Sequence, residues 1–225
     1  SVATLHAQTS VPLPSRELRG SWIATVRNIN WPTEPGLPVT KQKQQLLTLI
    51  ESAADVGLNA LIFQVRPAGD AMYASTLEPW SPFLTGQMGA APSPAWDPLE
   101  FAVTEAHKRG MELHAWFNPF RALAGEKHAP STSHIRRTHP EWTMKYGIDW
   151  WMDPGVPEVR AQAIAVMLDV TRRYDVDGIH IDDYFYPYPI TGKDKKKIEF
   201  PDDSSFARYK AAGGPLERTA WRRHW

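Results

Sequence analysis

Four short apolar runs punctuate the chain, and stretches of helical spacing lie between them. Gly20-Ser21-Trp22-Ile23-Ala24-Thr25-Val26, Ala60-Leu61-Ile62-Phe63-Gln64-Val65, Met111 to Phe117 and Gly178-Ile179-His180-Ile181 read as strands. After the first, a helix is expected from about Thr40, with Leu46, Leu47, Ile50 and Ala54 on one face and Gly57 as its stop. Asp97-Pro98-Leu99-Glu100 opens a second helix, with Asp as cap, Pro at the first helical position and Glu where a capping box needs it. That helix ends at Arg109-Gly110. Val159, Ala163, Val166, Met167 and Val170 mark a third, and a further helix begins near Trp221-Arg222-Arg223. Strands and helices that alternate in this way build parallel sheets. The expected fold class is α/β, of the (β/α)8 TIM-barrel type, with about the first four βα units in these 225 residues. Eight units need ~250 residues, so the chain reads as a barrel fragment or as an unusual half-barrel.

Residues 1–18 are small, polar and punctuated by proline, and read as a mobile leader ahead of the barrel half at 19–225. The first residue is Ser1, which a processed secretory signal or a trimmed chain would each explain. Lys193 to Lys197 reads as a solvated loop.

The four runs end alike. Each empties into a polar or aromatic cluster: Arg27-Asn28-Ile29-Asn30-Trp31, Arg66-Pro67-Ala68-Gly69-Asp70, Asn118-Pro119-Phe120-Arg121 and Asp182-Asp183-Tyr184-Phe185-Tyr186. In a barrel, the C-terminal strand ends share the face that carries the active site. Side chains alternate along a strand, so His180 and Asp182 point to the barrel axis, as do His114, Trp116 and Asn118. A carboxylate placed like Asp182 can serve as nucleophile or charge stabiliser at a glycosidic centre; the plainer role is a loop cap or a partner for Arg66. Asp183 is the second candidate. Asn118 can donate to sugar hydroxyls or to the carboxylate. Arg66, with Asp70 nearby, can hold a carboxylate ionised, bind an acidic substrate group or form a structural ion pair. Trp31, beside Asn28 and Asn30, is the leading sugar platform, with Trp22 and Tyr184 as further aromatic faces.

Composition narrows the chemistry. Lys+Arg and Asp+Glu are 25 each, a balance that argues against a nucleic-acid partner. No apolar run approaches the ~18 residues of a membrane span. Cysteine is absent, which removes disulfides, thiolate metal sites and cysteine nucleophiles. The histidines are scattered, so no metal site is expected. No glycine-rich phosphate loop or G-x-S-x-G elbow follows any strand, so no cofactor is expected either.

Several motifs in order carry a resemblance. Arg19-Gly20-Ser21-Trp22, Asn28-Ile29-Asn30-Trp31-Pro32, Gln64-Val65-Arg66-Pro67 with Asp70-Ala71-Met72-Tyr73, and Glu78-Pro79-Trp80-Ser81 resemble the bacterial family-10 glycosyl-hydrolase-like proteins. So do Asp97-Pro98-Leu99 with Ala106-His107-Lys108-Arg109-Gly110, His114-Ala115-Trp116-Phe117-Asn118-Pro119, and Asp177-Gly178-Ile179-His180-Ile181-Asp182-Asp183-Tyr184. The resemblance implies a TIM-barrel hydrolase of bacterial envelope polysaccharide, with peptidoglycan-type glycan strands the leading substrate class. It also implies an exported protein: periplasmic, outer-membrane-associated or extracellular. More distantly, Gly178 to Asp182 looks like the fourth-strand segment of α-amylase-type barrels, which favours Asp182 over Asp183 as the nucleophile.

Together these readings put Asp182, Asp183 and His180 in catalytic roles. They put Arg66, Asp70, His114, Asn118, Arg121, Asn28, Trp31, Trp22 and Tyr184 in substrate binding. Asp182, His180, Arg66, His114 and Asn118 are expected to converge in one pocket. The second carboxyl group is expected on a later strand, unless Glu78, Glu112, Asp70 or Asp183 supplies it. A different class, a non-catalytic glycan-binding module using the Trp and Tyr surfaces, accounts for the same aromatics.

Overall fold

The computed structural model describes residues 17–224. The elements in chain order are β1 (Gly20–Ile23), α1 (Val39–Asp55), β2 (Ala60–Arg66), α2 (Pro82–Thr85), α3 (Pro98–His107), β3 (Glu112–Phe117), β4 (Arg121–Leu123) and α4 (Ile135–Thr138). They continue with β5 (Thr143–Tyr146), β6 (Asp149–Met152), α5 (Pro157–Arg173), β7 (Gly178–Ile181), β8 (Ile190–Thr191), β9 (Lys197–Ile198), α6 (Asp203–Ala211) and α7 (Arg218–Arg222).

Four strands form one parallel sheet in the order β1-β2-β3-β7. Helices α1, α3 and α5 connect them in sequence and cover one face, giving a partial (β/α) barrel. The alternation along each strand explains the two faces. Leu61, Phe63, Val65, Leu113, Ala115 and Phe117 join Leu46 and Ile50 of α1, Leu99, Ala102, Val103 and Ala106 of α3, and Val166 and Val170 of α5 in one core. Ala24, Ile62 and Trp116 cluster on the opposite, inner face. Register places Ile179 beside Ala115 and Ile181 beside Phe117, on the helix side as the alternation requires. Because β7 is an edge strand, both isoleucines stay more than a third exposed.

The helix boundaries follow their local chemistry. The Asp97 carboxylate accepts from the N–H groups of Leu99 and Glu100, with Pro98 following as the first helical residue. Gly57 and Gly110, just past α1 and α3, take φ of 78° and 69°, where any other side chain would be strained. The first strand is shorter than its apolar run. It stops at Ile23, and Val26–Asn28 make a tight turn in which Arg27 and Asn28 adopt φ of 53° and 57°.

The loops carry more structure than their composition suggested. An antiparallel sheet, β4-β6-β5, stands after β3, and Lys197 belongs to the β8–β9 hairpin rather than to a free loop. Helix α6 fully buries only Ser205 and sets the half-buried Phe206 and Tyr209 against Trp221. Of the expected leader, residues 1–16 lie outside the described residues. Glu17 is already tied to the fold, its carbonyl accepting from Asn59 Nδ2 at 2.8 Å. Among the described residues no helix is long and apolar enough to cross a membrane.

Trp31 corrects the first of the binding assignments. It is fully enclosed, not a platform, with its edge toward Phe63 and Trp96 and its indole N–H on the Gln42 carbonyl at 2.9 Å. Proximity to a strand end put it among site candidates, but the turn at Val26–Asn28 carries it under the loop. Trp31→Ala should therefore cost stability, about 3–5 kcal/mol in urea denaturation of the chain. A loss below about 1 kcal/mol would contradict this core role.

Candidate active site

Asp182 follows β7 directly and lies on the inner side of the sheet, the side expected from alternation. Three donors meet on its carboxylate. Asn118 Nδ2 and Trp116 Nε1 donate to Oδ2 at 2.5 and 3.1 Å, and the Tyr184 N–H donates to Oδ1 at 3.0 Å. Asn118 and Trp116 come from the end of β3, the neighbouring strand. Asp183 belongs to the other side of the backbone: it is exposed and bonded to the Tyr188 hydroxyl.

Asn118 is the junction. Its Oδ1 accepts from Gln64 Nε2 at 2.5 Å and from Arg121 Nη1 at 2.9 Å. Gln64 in turn accepts the N–H groups of Thr25 and Val26, both at 2.8 Å. A single polar path thus crosses the C-terminal ends of all four parallel strands. Arg121 also lies against the rings of Tyr184 and Trp151, at 5.1 and 5.5 Å from their centroids. Burial pulls its guanidinium below the usual arginine range, against the charges of Asp149 and Asp182. Asp149 also pairs with Arg27.

His180 stands on the same wall, its ring 4.9 Å from Trp22 and 6.3 Å from Trp116. Burial lowers its pKa, although the charge of Asp182 pulls the other way. Trp22 is half exposed at 50%, so its face remains open. Tyr184 stacks on Trp151 with ring centroids 5.9 Å apart.

Four of the expected ligands do other work. Arg66 is completely buried and forks onto Glu78 with bonds of 2.8 and 2.5 Å, while Nη1 holds the carbonyls of Asn118 and Pro119 at 2.7 and 2.9 Å. The register shift between Gln64 and Arg66 turns this side chain away from the open face. It fixes the β3 end and has no exposed surface. Asp70 is enclosed, accepting the Ala68 N–H at 2.8 Å. Asn28 braces its own loop through the carbonyls of Pro32 and Phe83, at 2.9 and 2.8 Å. His114 faces inward but sits mid-strand in β3, beside Gly178 and bonded to Glu112 at 2.9 Å, away from Asp182. The convergence therefore joins Asp182 to Asn118 directly, with His180 beside them, and leaves His114 out.

Sequence reasoning passed over Gln64 and Asp149. Gln64 had a visible signal, a polar residue inside an otherwise apolar strand. Asp149 had none, because a separate antiparallel sheet delivers it to the rim. Among the described residues no group of three His, Cys, Asp or Glu is placed to hold a metal ion.

The profile of the family described as Glycosyl hydrolase-like 10 matches residues 17–224. The chain belongs to that family. Glycosyl hydrolase-like 10 relatives include the glycosyl hydrolase YngK of Bacillus subtilis (strain 168), 43% identical over 86% of this chain and 37% of its own. The glycosyl hydrolase DigH of Escherichia coli (strain K12) is 32% identical over 93% of this chain and 49% of its own. This chain thus spans less than half the length of either relative. Two solved structures share the fold. The alpha-L-fucosidase isoenzyme 2 of Paenibacillus thiaminolyticus aligns with a TM-score of 0.53 at 16% identity, covering 93% of this chain and 28% of that one. A hypothetical protein of Ruminiclostridium thermocellum aligns at 0.51 with 14% identity, over 80% and 82% of the two chains.

Asp70 yields a pH prediction for this Glycosyl hydrolase-like 10 chain. Burial raises its pKa from 3.8 to about 6, opposed by hydrogen bonds from Ser81 and the Ala68 N–H. The folded state holds this proton up to about pH 6, whereas the unfolded chain releases it near pH 4. Stability contributed by the neutral form is therefore complete below pH 4 and lost as pH climbs to about 6, a change of about 3 kcal/mol. Asp70→Asn keeps the acceptor for Ala68 and removes the charge. Its stability advantage should be larger at pH 7 than at pH 4.5 in urea denaturation; an equal advantage at both would exclude Asp70 as the titrating group.

Proposed function

We propose that this chain forms the N-terminal half of the catalytic barrel of a glycoside hydrolase acting on bacterial envelope polysaccharide, with peptidoglycan-type glycan strands the leading substrate. The observation that carries the reading is the Asp182 carboxylate, held by three donors at the end of the fourth parallel strand. A carboxylate so oriented can attack a sugar's anomeric carbon or stabilise its developing positive charge. The open face of Trp22 nearby suits the CH face of a sugar ring. Both curated relatives named above are called glycosyl hydrolases, which supports the same class. Envelope polysaccharide lies outside the cytoplasm, so the protein is assigned to the periplasm, the outer membrane surface or the medium.

The second carboxyl group is assigned to a strand beyond β7. Glu78 is locked onto Arg66, Asp70 is enclosed, Glu112 lies at the far end of β3 and Asp183 is engaged by Tyr188. None of these shares the inner rim with Asp182, and Asp149, which β6 delivers to the rim, is paired with Arg27 and faces Arg121. Glycoside hydrolysis needs two carboxyls, ~5–5.5 Å apart for retention or ~6.5–9.5 Å for inversion. Residues 1–225 alone should consequently bind glycan weakly and scarcely turn it over.

The test measures reducing-end release from purified glycan strands. In a chain extended through all eight units, Asp182→Asn should lower the rate by at least roughly 10²–10³-fold, the scale for losing one electrostatic stabiliser. Unchanged release would remove Asp182 from the mechanism. Equal specific activity of the short and extended chains would show that the four-strand half already holds both carboxyls. Binding without turnover by the extended wild type would favour the glycan-binding module instead.

A further inference from the structure

Gln64 occupies a place that the packing of β2 does not call for. Every residue of this strand is buried, and Ile62 on the same inner face packs with Ala24 and Trp116. A buried amide is costly unless its polar atoms are bonded. Those of Gln64 are bonded, and in one order only. Its Oε1 meets the N–H groups of Thr25 and Val26, which can only donate. The oxygen must therefore face β1, and Nε2 must face β3.

That orientation propagates. Nε2 can only donate, so Asn118 presents Oδ1 to it at 2.5 Å, where Arg121 donates as well. With its oxygen committed to two donors, Asn118 turns Nδ2 to Asp182 at 2.5 Å. A flipped Asn118 would set its amide hydrogens against Gln64 and Arg121, and its oxygen against a carboxylate. Two backbone N–H groups in the turn after β1 thus determine which atom of Asn118, two strands away, meets Asp182.

We infer that Gln64 is a positioning residue that orients Asp182 through Asn118. The inference rests on the hydrolase reading of Asp182. It assigns Gln64 no contact with substrate; its effect passes entirely through the Asn118 amide. A residue that merely anchors the end of β1 would act on the fold, independently of Asn118.

A double-mutant cycle separates these two roles. The extended protein is assayed on purified glycan strands, with kcat and KM measured for the wild type, Gln64→Met, Asn118→Ala and the double variant. Gln64→Met is expected to lower kcat at least tenfold with KM changed less than twofold. When residue 118 is already Ala, the same change is expected to lower kcat less than twofold further. An equal fractional loss in both backgrounds would overturn the inference. If Gln64→Met does not fold, Gln64→Glu replaces it, since its carboxylate still accepts from Thr25 and Val26 while offering Asn118 an acceptor in place of a donor. Wild-type kcat in the Gln64 variant, with Asp182→Asn inactive, would sink this inference and leave the hydrolase reading standing. Wild-type kcat in Asp182→Asn would sink the reading on which it rests.

Discussion

The Asn118 side chain links three strand ends at once, accepting from β2 and from Arg121 through one end of its amide and donating to Asp182 through the other. An amide suits this position because its two ends differ: it carries orientation as well as connection. Its backbone is held just as firmly, since Arg66 grips the carbonyls of Asn118 and Pro119 while Glu78 neutralises the buried guanidinium. Each such bond contributes only about 0.5–1.5 kcal/mol net, whereas leaving a buried partner unsatisfied costs about 1–3 kcal/mol. The network therefore contributes more to specificity of arrangement than to stability. One wrong amide orientation would leave several buried atoms facing their own kind.

This constraint shapes the ends of the sheet. The strand β1 gives up its ladder after Ile23, and the freed N–H groups of Thr25 and Val26 go to Gln64 instead of to a backbone carbonyl. Irregular backbone in a buried place is tolerable only when such groups find partners. The shift in register after Gln64 serves a related end, turning Arg66 beneath the rim where it can clamp β3. The apolar layer beneath the helices supplies the rigidity, and the irregular strand ends supply the aim.

Periodicity made the four strands and the three crossover helices legible, because each alternates or repeats against a single continuous core. Strand alternation likewise separated Asp182 from Asp183 and put Asn118 on the inner face. It failed just past the strands. Trp31, Arg66, Asp70 and Asn28 all follow an apolar run, yet a turn, a bulge or a loop brace takes each of them out of the cleft. Those departures depend on φ values and on partners far along the chain, such as Phe83 for Asn28 and Glu78 for Arg66. His114 failed differently: its face was right, but alternation says nothing about how far along a strand the site lies. The sheet β4-β6-β5 and helix α6 lacked apolar periods strong enough to read, and with them went Asp149.

What the four parallel strands contain also bears on how work divides within a partial barrel. Every donor to Asp182 comes from the end of β3 or from the loop that follows β7, and the path that fixes Asn118 ends in the turn after β1. No group from a further strand is needed to aim this carboxylate. The surroundings are less complete: Trp22 on the inner face stays half exposed, and Ile179 and Ile181, on the helix side of the edge strand, are more than a third exposed. Edge strands with open backbone groups and apolar side chains call for cover. The partial barrel therefore carries a finished orientation for the Asp182 carboxylate beside an open sheet edge. That aim is set by hydrogen bonds among near neighbours on adjacent strands.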